Sequence, residues 1–151
     1  MLPPNLVKPD SILIADDDEE DRLLIRDAFK DNRFDGIVFA EDGEELMDLL
    51  MKRCEEGVEA LPSLILLDLN MPRKDGWEAL REIKASDCLK HIPVVVFSTS
   101  SSPDDIASSY ELGGNSYLTK PGSYEVLVGK VKDLIQFWFK TAEIPKPGLK
   151  A

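Results

Sequence analysis

Three runs of four consecutive apolar residues, Ile12-Leu13-Ile14-Ala15, Leu64-Ile65-Leu66-Leu67 and Val94-Val95-Val96-Phe97, punctuate a chain that is otherwise mixed or polar. Runs this short and this rich in Ile, Leu and Val fit strands, and their lack of polar alternation predicts cover on both faces, as in a parallel sheet. Between them the pattern turns helical. Over 18–30, Leu23, Leu24, Ile25, Ala28 and Phe29 predict an apolar stripe behind an acidic start, and over 44–53 Leu46, Leu49 and Leu50 do the same. Leu80 and Ile83 carry the pattern through a helix over 77–85. Ser102-Pro103-Asp104-Asp105 starts another, with serine as cap, proline at the first position and acids at the positive helix end; Gly113-Gly114 stops it. Tyr124, Leu127, Val128, Val131, Leu134, Ile135 and Trp138 trace a long closing helix. Strands are expected over 11–15, 36–40, 64–67, 93–97 and 116–119, and the polar segment 54–63 is expected to loop.

Strands alternating with helices in this way predict a doubly wound α/β domain, because each parallel connection needs a right-handed helical crossover. The expected architecture is flavodoxin-like, a (βα)5 domain whose five-stranded parallel sheet has the order 2-1-3-4-5. In that order the carboxyl ends of strands one, three, four and five surround one crevice. The residues standing at those ends are Asp16 and Asp17, Asp68, Ser98 and Lys120.

A length of 151 residues suits one domain with a sizeable core. That domain is expected over 10–140, with an N-terminal extension over 1–9, a flexible tail over 141–151 and no output domain. The formal net charge of −11 argues against a nucleic-acid or anionic-membrane surface, since phosphate rewards clustered Lys and Arg. No secretory leader and no apolar run of membrane length stands out, so a cytoplasmic location is expected. Cys54 and Cys88, 34 residues apart and in no Cys-x-x-Cys pattern, are expected to be reduced thiols rather than metal ligands.

Chemistry centres on Asp68. An ionised carboxylate would be costly inside a Leu/Ile strand, but at the strand's end it opens into the crevice. With Asp16 and Asp17 beside it, three acids would repel one another unless a cation joined them. Mg²⁺ suits the set, because it prefers oxygen donors in octahedral array and keeps several waters. Asp17 and Asp68 would bind directly, Asp16 directly or through water, and a backbone carbonyl near Asn70 would complete the protein's share. If Asp68 attacks a phosphoryl donor, the acyl phosphate formed has three oxygens to neutralise. Mg²⁺, the Lys120 ammonium and the Ser98 hydroxyl with nearby backbone N–H groups would share them. Singly, each feature has a plainer reading: 16–20 as an acidic helix start, Lys120 as a turn residue, Ser98 as a loop serine or cap. Their meeting at one sheet edge favours a site.

In Asp16-Asp17, in Leu67-Asp68-Leu69-Asn70-Met71-Pro72 with Asp75-Gly76, in Ser98 and in Lys120-Pro121, the chain resembles the chemotaxis-regulator-like receiver domain of two-component response regulators. The resemblance covers about residues 10–140, and the intervals of 30 from Asp68 to Ser98 and 22 from Ser98 to Lys120 are similar to the family's. It implies that Asp68 accepts a phosphoryl group from a sensor histidine kinase with Mg²⁺ as cofactor, and that Ser98 then moves toward the phosphate. It further implies that Tyr117 is an aromatic switch turning inward with Ser98, and that the Lys120–Pro121 bond is cis. Phosphorylation would repack the fourth helix, fifth strand and fifth helix, changing a surface for partner binding or dimerisation. Such a protein promotes only its own phosphotransfer and dephosphorylation and is not a turnover enzyme. Within the family, the long 54–63 connection and the ending Ile135-Gln136-Phe137-Trp138-Phe139 are similar to single-domain regulators that pair with phytochrome-type histidine kinases. Phe137, Trp138 and Phe139 are a candidate interface, with cover for the domain's own core as the alternative.

Other classes fit less well. A haloacid-dehalogenase-like phosphohydrolase would need an acid two residues after Asp68, where Asn70 stands. A binding module without the switch would be expected to have lost an acid, the hydroxyl or the lysine. His91, the sole histidine, is expected at the opposite strand end from Ser98, which leaves a Ser-His hydrolase poorly supported.

Overall fold

Ile12, Leu13, Ile14 and Ala15 are all buried, as are Leu64 to Leu67 and Val94 to Ser98, so the three apolar runs form the interior of one sheet. The computed structural model describes residues 12–145; the expected extension over 1–9, residues 10 and 11, and the tail beyond 145 lie outside the described residues. Along the chain run β1 (Ile12–Ala15), α1 (Glu19–Asp31), β2 (Ile37–Ala40), α2 (Gly43–Glu56) and a 3₁₀ turn (Val58–Ala60). Then follow β3 (Leu64–Leu67), α3 (Gly76–Ala85), β4 (Val94–Ser98), α4 (Pro103–Glu111), β5 (Ser116–Thr119) and α5 (Tyr124–Ile135), closed by a π-helical turn, Gln136–Thr141. Every pairing is parallel and the order is β2-β1-β3-β4-β5, the flavodoxin-like arrangement expected from the alternation.

Successive strand residues point to opposite faces, so each run feeds two cores. Leu13, Ala15, Ile65 and Leu67 pack against Leu46, Leu50, Leu80 and Ile83 of α2 and α3. Ile12, Ile14, Leu64, Leu66, Val95 and Phe97 pack against Ile25 and Phe29 of α1 and Leu127, Val131 and Leu134 of α5. Burial of one such side chain stabilises by about 1.5–3 kcal/mol. α4 is held least: its single buried residue is Ser109.

The helix starts follow the capping chemistry of the sequence. Asp18, Asp42, Asp75, Ser102 and Ser123 each accept a backbone N–H of the first turn that follows them. Two glycines let backbone approach backbone: a Cβ on Gly43 would lie 2.0 Å from the carbonyl oxygen of Lys74, and one on Gly76 2.1 Å from that of Asp68. The β3–α3 loop is thus clamped from both ends.

Several expectations are corrected. Only part of 54–63 is irregular, because α2 runs on to Glu56 and Val58–Ala60 turns again. Cys54 and Cys88 are joined in a disulfide, not reduced; the end of α2 and the turn after α3 bring their Cα atoms within 6.4 Å. An interval along the chain carries no sign of that meeting. Leu23 and Leu24 are exposed, since a 100° step per residue lets Ile25, Ala28 and Phe29 face inward but turns the two preceding leucines away. The Lys120–Pro121 bond is trans, no cis bond occurring among the described residues. Trans is the lower-energy isomer for an X–Pro bond, and the long lysine side chain reaches the acids without the other.

Candidate phosphoryl-acceptor site

Strand register brings the site together. Ala15 pairs with Leu67, Leu67 with Val96, and Ser98 with Thr119, so the residues just past these positions emerge at one edge. The Asp68 N–H donates to the carbonyl of Ala15 at 3.0 Å, the Asp16 N–H to that of Ala40 at 3.0 Å, and the Lys120 N–H to that of Ser98 at 2.7 Å. The ladder therefore extends one residue beyond the strands and fixes the backbone beneath each functional side chain. Arg22 adds a brace, its guanidinium donating to the Asp16 carbonyl at 2.9 Å.

Carboxylate oxygens of Asp16, Asp17 and Asp68 lie within 4.8 Å of one another. Asp16 and Asp68 are buried while Asp17 is exposed, which gives the cluster one open side. The Lys120 ammonium sits on two of them, donating to Asp16 Oδ2 at 2.7 Å and Asp68 Oδ2 at 3.1 Å, and also to Asp21 Oδ2 at 2.9 Å. Asp68 Oδ1 accepts the Asn70 N–H at 3.2 Å, and Asp16 Oδ1 accepts the Asp18 N–H at 2.9 Å.

Burial pushes the carboxyls of Asp16 and Asp68 above the ordinary aspartate range, against the pull of Lys120 and the backbone donors. Burial also works against the Lys120 ammonium, but its hydrogen bonds to Asp16 and Asp21 and the charges of Asp16 and Asp68 outweigh it and raise its pKa. One ammonium therefore stabilises an acid cluster that it does not neutralise.

Ser98 is fully buried, and its Oγ accepts the Ser100 N–H at 3.2 Å. Ser100 Oγ in turn donates to Asp105 Oδ2 at 2.7 Å, and the Tyr117 hydroxyl donates to the Ser100 carbonyl at 2.8 Å. Ser98 and Tyr117 are thereby joined through one residue of the β4–α4 loop.

Residues 12–132 match the response regulator receiver domain. The chain belongs to that family. Rcp1 of Synechocystis is 41% identical over 138 residues, 91% of this chain and 94% of Rcp1. "Probable methanogenesis regulatory protein FilR2" of Methanothrix harundinacea is 40% identical over 92% of this chain and 90% of its own length. Among solved structures, the phosphorylated cyanobacterial phytochrome response regulator RcpA superposes with a TM-score of 0.82 at 42% identity, covering 91% of this chain and 99% of RcpA. The Mn(2+)-bound form of Rcp1 gives a TM-score of 0.79 at 40% identity, again covering 91% and 99%. This receiver is thus a two-component signalling protein, similar in sequence and fold to phytochrome-associated regulators.

Of the expected site residues, Asp16, Asp17, Asp68 and Lys120 meet directly, and Asn70 joins them through its N–H. Tyr117 reaches Ser98 only by way of Ser100. The aromatic trio divides: Phe137 is half exposed, whereas Trp138 and Phe139 pack on the α1/α5 core, with the Phe139 ring 5.3 Å from that of Phe34. The segment Gln136–Thr141 is π-helical, and Phe139, four residues after buried Ile135, faces the core. His91 is exposed before β4, away from the site. Asp21 was not among the expected residues; among six consecutive acids from Asp16 to Asp21, nothing in the sequence singles it out. Among the described residues, no helix is long and apolar enough to cross a membrane.

Proposed function

We propose that Asp68 accepts a phosphoryl group from the phosphohistidine of a sensor histidine kinase, and that the receiver then offers a changed α4–β5–α5 surface to a partner or second copy. The convergence of Asp16, Asp17 and Asp68 within 4.8 Å, capped by Lys120, carries this reading. A hard, all-oxygen donor set with one open side suits Mg²⁺, held by the three carboxylates and the Asn70 carbonyl. The Mn(2+)-bound form of Rcp1 supports a divalent cation here. Once bound, Mg²⁺ supplies positive charge against the phosphoryl oxygens.

In transfer, an Asp68 oxygen forms a bond to phosphorus as the phosphorus–nitrogen bond breaks and its electron pair returns to the donor imidazole. Lys120 needs to travel little, because its ammonium already touches Asp68. Its N–H groups turn from carboxylate to phosphoryl oxygen, where charge builds. The Ser98 hydroxyl, now an acceptor for Ser100, has its own proton to offer to another oxygen. That move would break the Ser100 contact and release the loop on which Tyr117 rests, with α4, the least anchored helix, following.

Intact-mass measurement after incubation with acetyl phosphate and Mg²⁺ tests the chemistry. One phosphoryl gain, abolished by EDTA and by Asp68→Asn, is expected; no gain from either acetyl phosphate or a phosphorylated kinase would refute it.

We further read the kinase as phytochrome-type on the likeness to RcpA, although FilR2 is nearly as similar in sequence. Phosphotransfer from a phytochrome kinase faster than from an unrelated one tests this point. A homodimer would use Phe137 and the groove it lines with Ser116, Leu118, Lys130 and Trp138, and light scattering with and without phosphorylation measures it. The domain over 10–140 is read as cytoplasmic, as two-component receivers require of their phosphoryl donor. The Cys54–Cys88 bridge points the other way, since such bonds are rare in reducing compartments; thiol titration of freshly lysed cells decides between them.

A further inference from the structure

We propose that Asp21 is a positioning residue for Lys120: a carboxylate outside the cation set that retains the ammonium when Asp16 and Asp68 turn to the metal. The inference rests on the phosphoryl-acceptor reading of the site. An ammonium has three protons, and Lys120 gives one each to Asp16 at 2.7 Å, Asp21 at 2.9 Å and Asp68 at 3.1 Å. Two of these acceptors belong to the cluster of Asp16, Asp17 and Asp68, whereas Asp21 does not. A cation entering that cluster takes oxygens that Lys120 now uses. The Lys120 side chain is only 10% exposed, so losing all the ammonium's partners would leave a buried charge with unmet donors. Asp21, one turn into α1 and 34% exposed, keeps one strong bond and leaves two protons free for phosphoryl oxygens.

Plainer roles for Asp21 are already filled. As the third residue of α1 it could close a capping box on the Asp18 N–H, but that N–H donates to Asp16 Oδ1 at 2.9 Å. The cap is supplied by Asp18, which accepts from Glu20 and Asp21. Glu19 and Glu20 serve the helix dipole from the same turn, and among the described residues neither side chain meets a cation.

Mg²⁺ affinity, measured by calorimetry at fixed ionic strength on the full chain, tests the proposal. Asp21→Asn is expected to weaken binding by about tenfold, the low end for a charge-assisted hydrogen bond. Glu20→Gln, with the same loss of charge from the same turn, sets the background. Asp21→Glu should restore binding to within about threefold, and in a Lys120→Met background Asp21→Asn should do no more than Glu20→Gln. If Asp21→Asn does not fold by circular dichroism, Asp21→Ser makes the same comparison. Equality of Asp21→Asn and Glu20→Gln, failure of the glutamate to restore, or an undiminished effect without Lys120 would each overturn the proposal. Acetyl phosphate labelling of the unaltered protein separates the two readings. A protein that takes phosphoryl and Mg²⁺ normally while Asp21→Asn is silent loses only the Asp21 role; one that takes neither loses both.

Discussion

Gly76→Ala should damage the site from behind. Gly76 opens α3, its N–H donates to the Leu69 carbonyl at 2.9 Å, and its α-carbon lies directly against the strand end that carries Asp68. An added Cβ would stand 2.1 Å from the Asp68 carbonyl oxygen, 2.5 Å from Leu69 Cα and 2.9 Å from the Asp68 carbonyl carbon. All three are backbone atoms, so no side-chain rotation relieves the contact. Reaching even 3.0 Å from the oxygen requires a shift of nearly an ångström, shared between the α3 N-terminus and Asp68. Overpacking of this kind costs about 1–3 kcal/mol, and the upper half of that range applies where only backbone can move. A displacement of about 1 Å at a reacting group costs on the order of 100-fold in rate. The expected result is therefore a chain that still folds, with a lower denaturation midpoint and about 100-fold slower acetyl phosphate labelling of Asp68. Gly129→Ala is the matched control, because its Cβ would meet nothing within 4 Å and the site is untouched. It should label normally and gain up to about 1 kcal/mol from helix propensity. Labelling of Gly76→Ala within twofold of the unaltered protein, at unchanged stability, would refute the reasoning.

The remaining expectations concern charge, the bridge and the loop latch. Protons and Mg²⁺ compete for the same carboxylates, and burial raises Asp16 and Asp68 above 3.8, so Mg²⁺ affinity should begin to fall at a higher pH than for ordinary aspartates. The sign follows from occupancy: below the raised pKa a ligand is protonated, and affinity drops as pH drops; titrations that stay flat down to pH ~4 would contradict it. Reducing Cys54–Cys88 frees a loop of 34 residues, worth about 4 kcal/mol in chain entropy and thus on the order of 10 °C in Tm. A Cys54→Ser/Cys88→Ser variant should melt where the reduced protein does, and a Tm indifferent to dithiothreitol would count against the bridge. Tyr117→Phe removes the hydroxyl that donates to the Ser100 carbonyl and should cost about 1 kcal/mol in urea denaturation; an unchanged midpoint would show that the bond contributes nothing.

What was legible in the sequence is what short-range pattern encodes. The apolar runs ending in Asp16, Asp68 and Ser98 gave away both the strands and the edge at which they open, because a buried strand and an ionised residue are incompatible except at its end. The cap at Ser102 was equally local. What could not be read depends on where distant segments meet. Cys54 and Cys88 are partners only because α2 and the turn after α3 converge on one side of the sheet. Phe139 follows buried Ile135 by four residues across a π-helical turn, and no residue type announces that change of pitch. Leu23 and Leu24 were over-read for the opposite reason: three adjacent apolar residues cannot all face one core, and Ile25 takes the inward position.

Lys120 ties the site to α5 through one short strand. At its own end it carries the three acids, while its neighbour Thr119 offers a carbonyl that accepts the Lys130 ammonium of α5 at 2.7 Å. Lys130 in turn lines the groove with Leu118, Phe137 and Trp138. Any movement of the β5 end on phosphorylation would therefore strain a bond on α5, just as the Ser98 move would break the Ser100 contact on the α4 side. Only α4 lacks a buried apolar face, so the cheaper response is movement there, with α5 kept in place by Leu127, Val131 and Leu134. Lys130→Met distinguishes the two routes. If the α5 bond carries the change, this variant should label at Asp68 normally yet lose any phosphorylation-dependent change in Trp138 fluorescence; if α4 carries it alone, hydrogen exchange should rise over Pro103–Glu111 on labelling and be the same in the variant.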